Sequence, residues 1–255
     1  MPPFFKAAIR SARAFIILAG VSYAQLIASH AGAIAQSVAD LSRVMPSIVM
    51  IEAVSAGRVT HGAGFVYGPE GAIASVFHVV DGAEQIILRY ADGRSSTASL
   101  TAWDSPYDLA LLRPDTPAPG AALPLARTSP MVGTSVVAVG NPFGHGFSVT
   151  AGIVSGHDRT VDALTPHGFL QHDAALNPGS SGGPLLTPAG EIAGINAAIP
   201  NGRRTDVGAG FAIPVETARA ILDMLLKGEK PRHGFLGARL RQGIGRINNL
   251  LPDLV

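Results

Sequence analysis

Residues 177–184 read Asn177-Pro178-Gly179-Ser180-Ser181-Gly182-Gly183-Pro184. A serine set among glycines sits where the chain turns tightly and lets another backbone approach, and neighbouring N–H groups in such a turn converge on one point. That arrangement can hold the oxyanion of an acyl-transfer transition state. A bare Gly/Ser loop is also an ordinary surface turn, so its weight depends on partners elsewhere in the chain. A serine hydroxyl is a poor nucleophile until a base takes its proton and a carboxylate orients that base. His78, in Ser75-Val76-Phe77-His78-Val79-Val80-Asp81, stands at the end of an expected strand, and Asp108, in Pro106-Tyr107-Asp108-Leu109-Ala110-Leu111-Leu112, opens another. Alone, such a histidine reads as a core residue and such an aspartate as a strand-edge cap. With Ser181 they make base, orienting acid and nucleophile.

The elements that must position these side chains are short β-branched runs broken by Gly, Pro and Asp. Strands are expected over 47–54, 64–67, 72–76, 85–89, 97–104, 109–113, 135–139, 147–155, 169–172, 191–198 and 207–213. Regularly spaced short strands with turn chemistry between them point to an all-β sandwich or barrel. Asp115-Thr116-Pro117-Ala118-Pro119-Gly120 is the least structured stretch in the middle and divides the strands into two comparable sets. His78 and Asp108 fall in the first set, Ser181 in the second. One helix is expected over 216–227, with Ala218, Ile221, Leu222 and Leu225 at helical spacing between Pro214 and Gly228. No internal repeat is visible, and the tail from Arg239 reads as loosely ordered.

Composition narrows the chemistry further. In 255 residues, 19 Lys and Arg face 18 Asp and Glu, a net charge of +1 without the basic surplus of a nucleic-acid binder. Hydrophobic residues at 47% against charged ones at 15% exclude disorder for most of the chain. Gly at 30 and Pro at 19 favour many reversals. Cysteine is absent, which removes disulfides, thiolate metal sites and cysteine nucleophiles. His61, His145, His157, His167 and His172 lack metal-ligand spacing, and Gly140-Asn141-Pro142-Phe143-Gly144-His145-Gly146 lacks the Lys-Ser/Thr and helix of a phosphate loop, so it reads as a turn. No cofactor or metal is expected.

Lys6, Arg10 and Arg13 open a segment that carries no charge over 14–39, with Phe15, Ile16, Ile17 and Leu18 as its most apolar part. Ala33-Ile34-Ala35 offers the small-x-small pattern of signal peptidase cleavage, and Ser22-Tyr23-Ala24 an earlier one. Residues 1–35 are therefore read as a signal peptide, with an uncleaved signal anchor as the alternative. Either way the remainder is exported.

Histidine, aspartate 30 residues on and serine a further 73 on follow the chain order of the chymotrypsin architecture, not that of subtilisin or the α/β-hydrolases. The chain also resembles the trypsin-like protease domain of the HtrA/Deg family of exported bacterial serine proteases. The resemblance runs from Val44 to Gly237 and rests on Gly62-Ala63-Gly64-Phe65, His78-Val79-Val80-Asp81, Asp108-Leu109-Ala110-Leu111-Leu112, Val139-Gly140-Asn141-Pro142-Phe143-Gly144, Val149-Thr150-Ala151-Gly152-Ile153-Val154-Ser155, Asp173-Ala174-Ala175-Leu176-Asn177-Pro178-Gly179, Gly194-Ile195-Asn196 and Gly210-Phe211-Ala212-Ile213-Pro214. It implies two six-stranded antiparallel β-barrels with an active site in the cleft between them. By motif, Ser181 is the nucleophile, His78 the general base and then acid, and Asp108 its orienting carboxylate. The resemblance also implies that the backbone N–H groups of Gly179 and Ser181 form the oxyanion hole, that Ala175 lies at the floor of the primary specificity pocket with Leu176 and Ile199 as its walls, and that Asn196, Ala197 and Ala198 give the edge that pairs with substrate.

Four departures accompany the resemblance. Ser180 stands where the family has Asn, Ser75-Val76-Phe77 where it has a Thr-Asn-x pattern, and His172 where Thr is frequent. His233-Gly234-Phe235-Leu236-Gly237 resembles the start of a PDZ domain, with only 18 residues after it. The expected division is thus a leader over 1–35, a protease domain over 36–240 and a short tail over 241–255 with no PDZ domain. The expected activity is a serine endopeptidase acting on unfolded or damaged exported proteins, periplasmic or secreted. Two alternatives remain open: a non-proteolytic chaperone or binder on the same fold, and a signalling protease anchored to the inner membrane. The resemblance further implies a homotrimer, and no nucleic-acid partner is expected.

Overall fold

The computed structural model describes residues 41–160, 168–198 and 208–231. Six strands, β1 (Ile48–Ser55), β2 (Arg58–Tyr67), β3 (Ala72–Ser75), β4 (Gln85–Tyr90), β5 (Ser95–Asp104) and β6 (Leu109–Pro114), close into an antiparallel barrel in the order β1-β2-β3-β6-β5-β4. Six more, β7 (Ser135–Gly140), β8 (Ser148–Arg159), β9 (Phe169–His172), β10 (Pro184–Leu186), β11 (Ile192–Ala198) and β12 (Gly210–Pro214), close as β7-β8-β9-β12-β11-β10. The second barrel repeats the connectivity of the first, which no sequence repeat announces. Closure leaves neither sheet with a free edge.

Alternation fills the interiors. Ile51, Phe65, Ile73, Leu88, Leu111 and Leu112 are fully or almost fully buried in the first barrel. Val136, Ala138, Val154, Leu170, Leu185, Ala193 and Ala212 form the smaller core of the second. The larger cluster does not stop at the first barrel. It continues through Val139, Leu186, Ile192, Ile195 and Ile213 of the second barrel to Ala218, Ile221, Leu222 and Leu225 of a helix. That helix, α2 (Val215–Leu226), presents its apolar stripe to the seam between the barrels. Polar contacts fix it there: the Tyr67 hydroxyl donates to Asp223 Oδ1 at 2.6 Å, and the Glu216 carboxylate accepts from Ser129 N (2.6 Å) and Oγ (2.7 Å). The connection from β6 to β7 is pinned as well, with Leu123 N donating to Val66 O and Ala126 N to Ile192 O. Among the described residues no helix is long and apolar enough to cross a membrane.

Besides β8, which runs on to Arg159, three elements differ from the sequence expectation. Strand β2 starts at Arg58, not at residue 64, because Ala56 (φ 46°) and Gly57 (φ 74°) close a two-residue hairpin turn of the kind that matches strand twist. Its first residues are exposed, so no apolar pattern marks them. Strand β10 is a three-residue element directly after the glycine-rich loop, too short to show alternation. His78 does not end a strand: the chain leaves β3 at Ser75 and forms a single helical turn, α1 (Phe77–Val80). The leader over 1–35, the tail over 241–255 and Ile199 lie outside the described residues.

Candidate active site

The turn that carries His78 is built from both ends. Val79 and Val80 are buried beneath it, and Val79 packs so closely on Gly62 that a Cβ there would lie 2.5 Å from a valine methyl. Asp81 N closes the turn on Phe77 O at 2.9 Å. The imidazole is left half-exposed on the outside. Asp108 sits just before β6 with φ 54°, a left-handed conformation that Asp tolerates better than most side chains. The preceding turn is held by Tyr107 N donating to Asp104 Oδ1 (2.8 Å) and Asp108 N to Ser105 O (3.1 Å).

These two turns meet. Phe77 N donates to Asp108 O at 3.1 Å, His78 N to Asp108 Oδ1 at 2.8 Å, and His78 Nδ1 lies 2.6 Å from Asp108 Oδ2. An ionised carboxylate can only accept, so the shared proton belongs on Nδ1 and the neutral ring keeps a lone pair on Nε2. The arrangement leaves His78 with one available nitrogen and a fixed tautomer.

The serine loop is pressed across the seam onto the first barrel. Ser181 O accepts from Ala63 N of β2 at 2.9 Å. Gly182 has φ 85°, and a Cβ there would lie 2.2 Å from Ala63 O and 2.3 Å from Ser75 Oγ, at the end of the strand that leads to His78. Only glycine fits both the conformation and the space. From its own barrel the loop is held by Gly182 N donating to Asn196 O (2.7 Å) and Asn196 N to Gly183 O (2.9 Å).

A second brace comes from residues 140–146, which the sequence presents as a mere turn. Phe143 N donates to Pro178 O at 2.7 Å and Asn141 N to Gly179 O at 3.0 Å. Peptide units are planar and trans, so with the Pro178 carbonyl aimed at Phe143 the Gly179 N–H of the same unit points the opposite way. Among the described residues neither the Gly179 nor the Ser181 amide has a protein acceptor. Two donors are thus left for an incoming negative oxygen. The Ser181 hydroxyl rests on Ala197 O at 3.4 Å, and not on His78.

The remaining expected site residues fall as follows. Ala175 is half-buried and its carbonyl accepts from Thr150 Oγ at 2.9 Å, while Leu176 is buried with its side chain against Gly210. Asn196 is fully buried and spends its backbone on Gly182 and Gly183 and its amide on Pro184 O (3.3 Å). Ala197 meets the Ser181 hydroxyl, and Ala198 pairs with Phe211. Asn141 and Phe143 escaped the sequence reading as site residues, although their glycine-rich setting was visible.

Residues 62–195 match the family of trypsin-like peptidase domains. The "Probable periplasmic serine endoprotease DegP-like" of Pseudomonas savastanoi pv. phaseolicola is 40% identical over 185 residues, 71% of this chain and 38% of that protein. The protein of the same description in Rickettsia prowazekii is 38% identical over 198 residues, 74% and 38% of the two chains. Among solved structures, the HtrA-type protease AlgW with a bound tripeptide superposes with a TM-score of 0.70 at 36% identity, covering 75% of this chain and 64% of that one. The serine endoprotease of Yersinia pestis gives 0.64 at 36% identity, covering 74% and 65%. This chain spans under two-fifths of the length of those two curated relatives. With the double barrel, the match to the peptidase domain and these relatives in agreement, the chain belongs to the trypsin-like peptidase family, in its HtrA/Deg branch.

Proposed function

We propose that the chain is an exported serine endopeptidase that cleaves unfolded or damaged proteins through a covalent acyl-enzyme. The observation that carries this reading is the His78–Asp108 pair, doubly hydrogen-bonded, set beside a serine loop whose Gly179 and Ser181 amides have no protein acceptor among the described residues. In the first step the Ser181 hydroxyl turns from Ala197 O to His78 Nε2 and gives up its proton as Oγ attacks the scissile carbonyl. Asp108 stabilises the imidazolium through Nδ1 without taking the proton. The carbonyl oxygen gains negative charge and is held by the two amides. His78 then protonates the departing amine as the C–N bond breaks, leaving the acyl group on Ser181. Water, deprotonated by His78, releases the acid and restores the hydroxyl.

Substrate class and location rest on the relatives and on the leader. Relatives are described as periplasmic endoproteases, one solved neighbour carries a tripeptide, and residues 1–35 read as an export signal. Sequencing the N-terminus of the exported chain separates release from anchoring, and light scattering tests the trimer that the resemblance implies. The decisive experiment is digestion of unfolded casein by the mature chain beside Ser181→Ala, with fluorophosphonate labelling in parallel. Digestion and labelling that both vanish in Ser181→Ala are expected. One observation favours a non-proteolytic binder as the second reading, namely the Ser181 hydroxyl parked on Ala197 O. Retention of unfolded protein with neither digestion nor labelling would establish it.

A further inference from the structure

His78 rides on a helix of four residues, and a single turn has no stability of its own because it fixes several dihedrals for one hydrogen bond. Tertiary contacts must hold it. Val79 and Val80 secure its inner side, and the Phe77 and His78 N–H groups tie its start to Asp108. On the solvent side the Phe77 ring stacks on Trp103, with ring centroids 5.8 Å apart and planes 7° from parallel. Trp103 is the next-to-last residue of β5, pairs with Ala110 of β6, and directly precedes the turn that presents Asp108. The stack therefore joins the element carrying the base to the element carrying its carboxylate. Trp103 stays 52% exposed, so its contact is with Phe77 more than with the core. Aromatic faces at this separation attract beyond the area they bury.

We propose that Phe77 and Trp103 are positioning residues: their stack clamps the turn of His78 against the turn of Asp108 and so sets the line from the imidazole to Ser181. The proposal rests on the endopeptidase reading of the same site. A displacement of the base of even 1 Å costs up to about a hundredfold in rate, and partial loosening of an exposed clamp falls below that. Trp103→Ala should lower kcat about tenfold on short peptide esters and on unfolded protein alike, with KM within about twofold, and Trp103→Phe should recover most of the loss.

A readout independent of turnover is the low-field proton resonance of the His78 Nδ1–H···Asp108 bond. It should broaden or move upfield in Trp103→Ala and return in Trp103→Phe. Trp103 is the single tryptophan of the chain, so in Phe77→Leu its emission reports loss of the stack directly, and that variant carries the test if Trp103→Ala does not fold. A lowered melting temperature with kcat and the resonance unchanged would overturn the proposal in favour of a merely structural contact. A raised KM confined to long substrates would overturn it in favour of a substrate subsite. A wild-type chain without turnover would sink the endopeptidase reading, while the resonance still decides the clamp.

Discussion

Ser180 is 5% exposed, its hydroxyl accepts the Asn177 N–H at 3.3 Å, and its Cα lies against Gly140, whereas the Ser181 hydroxyl faces the seam toward Ala197. Adjacent residues of one type thus have different surroundings. Ser181→Ala should reduce hydrolysis by about four orders of magnitude or more, as loss of a nucleophile does. Ser180→Ala forfeits one neutral hydrogen bond, about 1 kcal/mol, and should lower the rate less than tenfold. Steady-state assays of both variants check this, and equal losses would assign the nucleophile wrongly or make Ser180 essential to the loop. The same scale governs specificity. Ala175 puts no carboxylate at the expected pocket floor, and Leu176 beside it is buried and apolar. A Lys or Arg side chain there would lose hydration without a partner, so cuts should follow Val, Ala or Ile. Mass-spectrometric mapping of cuts in an unfolded protein decides it, and predominant cleavage after Lys, Arg or large aromatics would refute the assignment.

Helix α2 joins the barrels, and two of its polar anchors give separate tests. Burial, and then the Asp223 carboxylate, push the Tyr67 hydroxyl well above the ordinary tyrosine range, so it remains a donor to Asp223 at all physiological pH values. Tyr67→Phe should cost about 1–2 kcal/mol in urea unfolding at pH 7, with activity retained. At Glu216 burial pulls the carboxyl upward, but the Ser129 hydroxyl and N–H, with Arg219, outweigh it and hold the group below its ordinary value. A carboxyl whose folded value is lowered stabilises the fold above its unfolded value and loses that contribution as pH falls through the folded one. The urea midpoint of Glu216→Gln should therefore lie below the parent's at pH 7 and converge with it below about pH 4. A gap that does not narrow as the pH is lowered through the acid range would show that the Ser129 contacts act through packing and not charge.

At the scale of the whole molecule, among the described residues one apolar cluster runs from the first barrel through the seam to α2, and the smaller interior of the second barrel stands apart. Barrels that share a core cannot unfold one at a time without exposing it. Trp103 emission, which reports the first barrel, and far-ultraviolet dichroism, which reports both, should give coincident urea transitions. Two separated transitions would mean that the seam contributes little.

Eleven of the twelve described strands, their division into two sets and α2 after Pro214 were legible in the sequence, because period-two and period-3.6 patterns and glycine-rich turns are local properties of neighbouring residues, while His78, Asp108 and Ser181 were singled out there by residue type and chain order. Tertiary structure alone decided the rest. The repeated barrel connectivity and the three-residue β10, which pairs with β7 far back in the chain, leave no local period, and the exposed start of β2 pairs with β1 across its two-residue turn without one. The single turn α1 exists only because Asp108 and the core hold it. Most tellingly, a sequence cannot orient a peptide plane: the Gly179 N–H is turned away from Phe143 because the Phe143 N–H captures the Pro178 carbonyl, a hydrogen bond between segments that meet only in the folded second barrel.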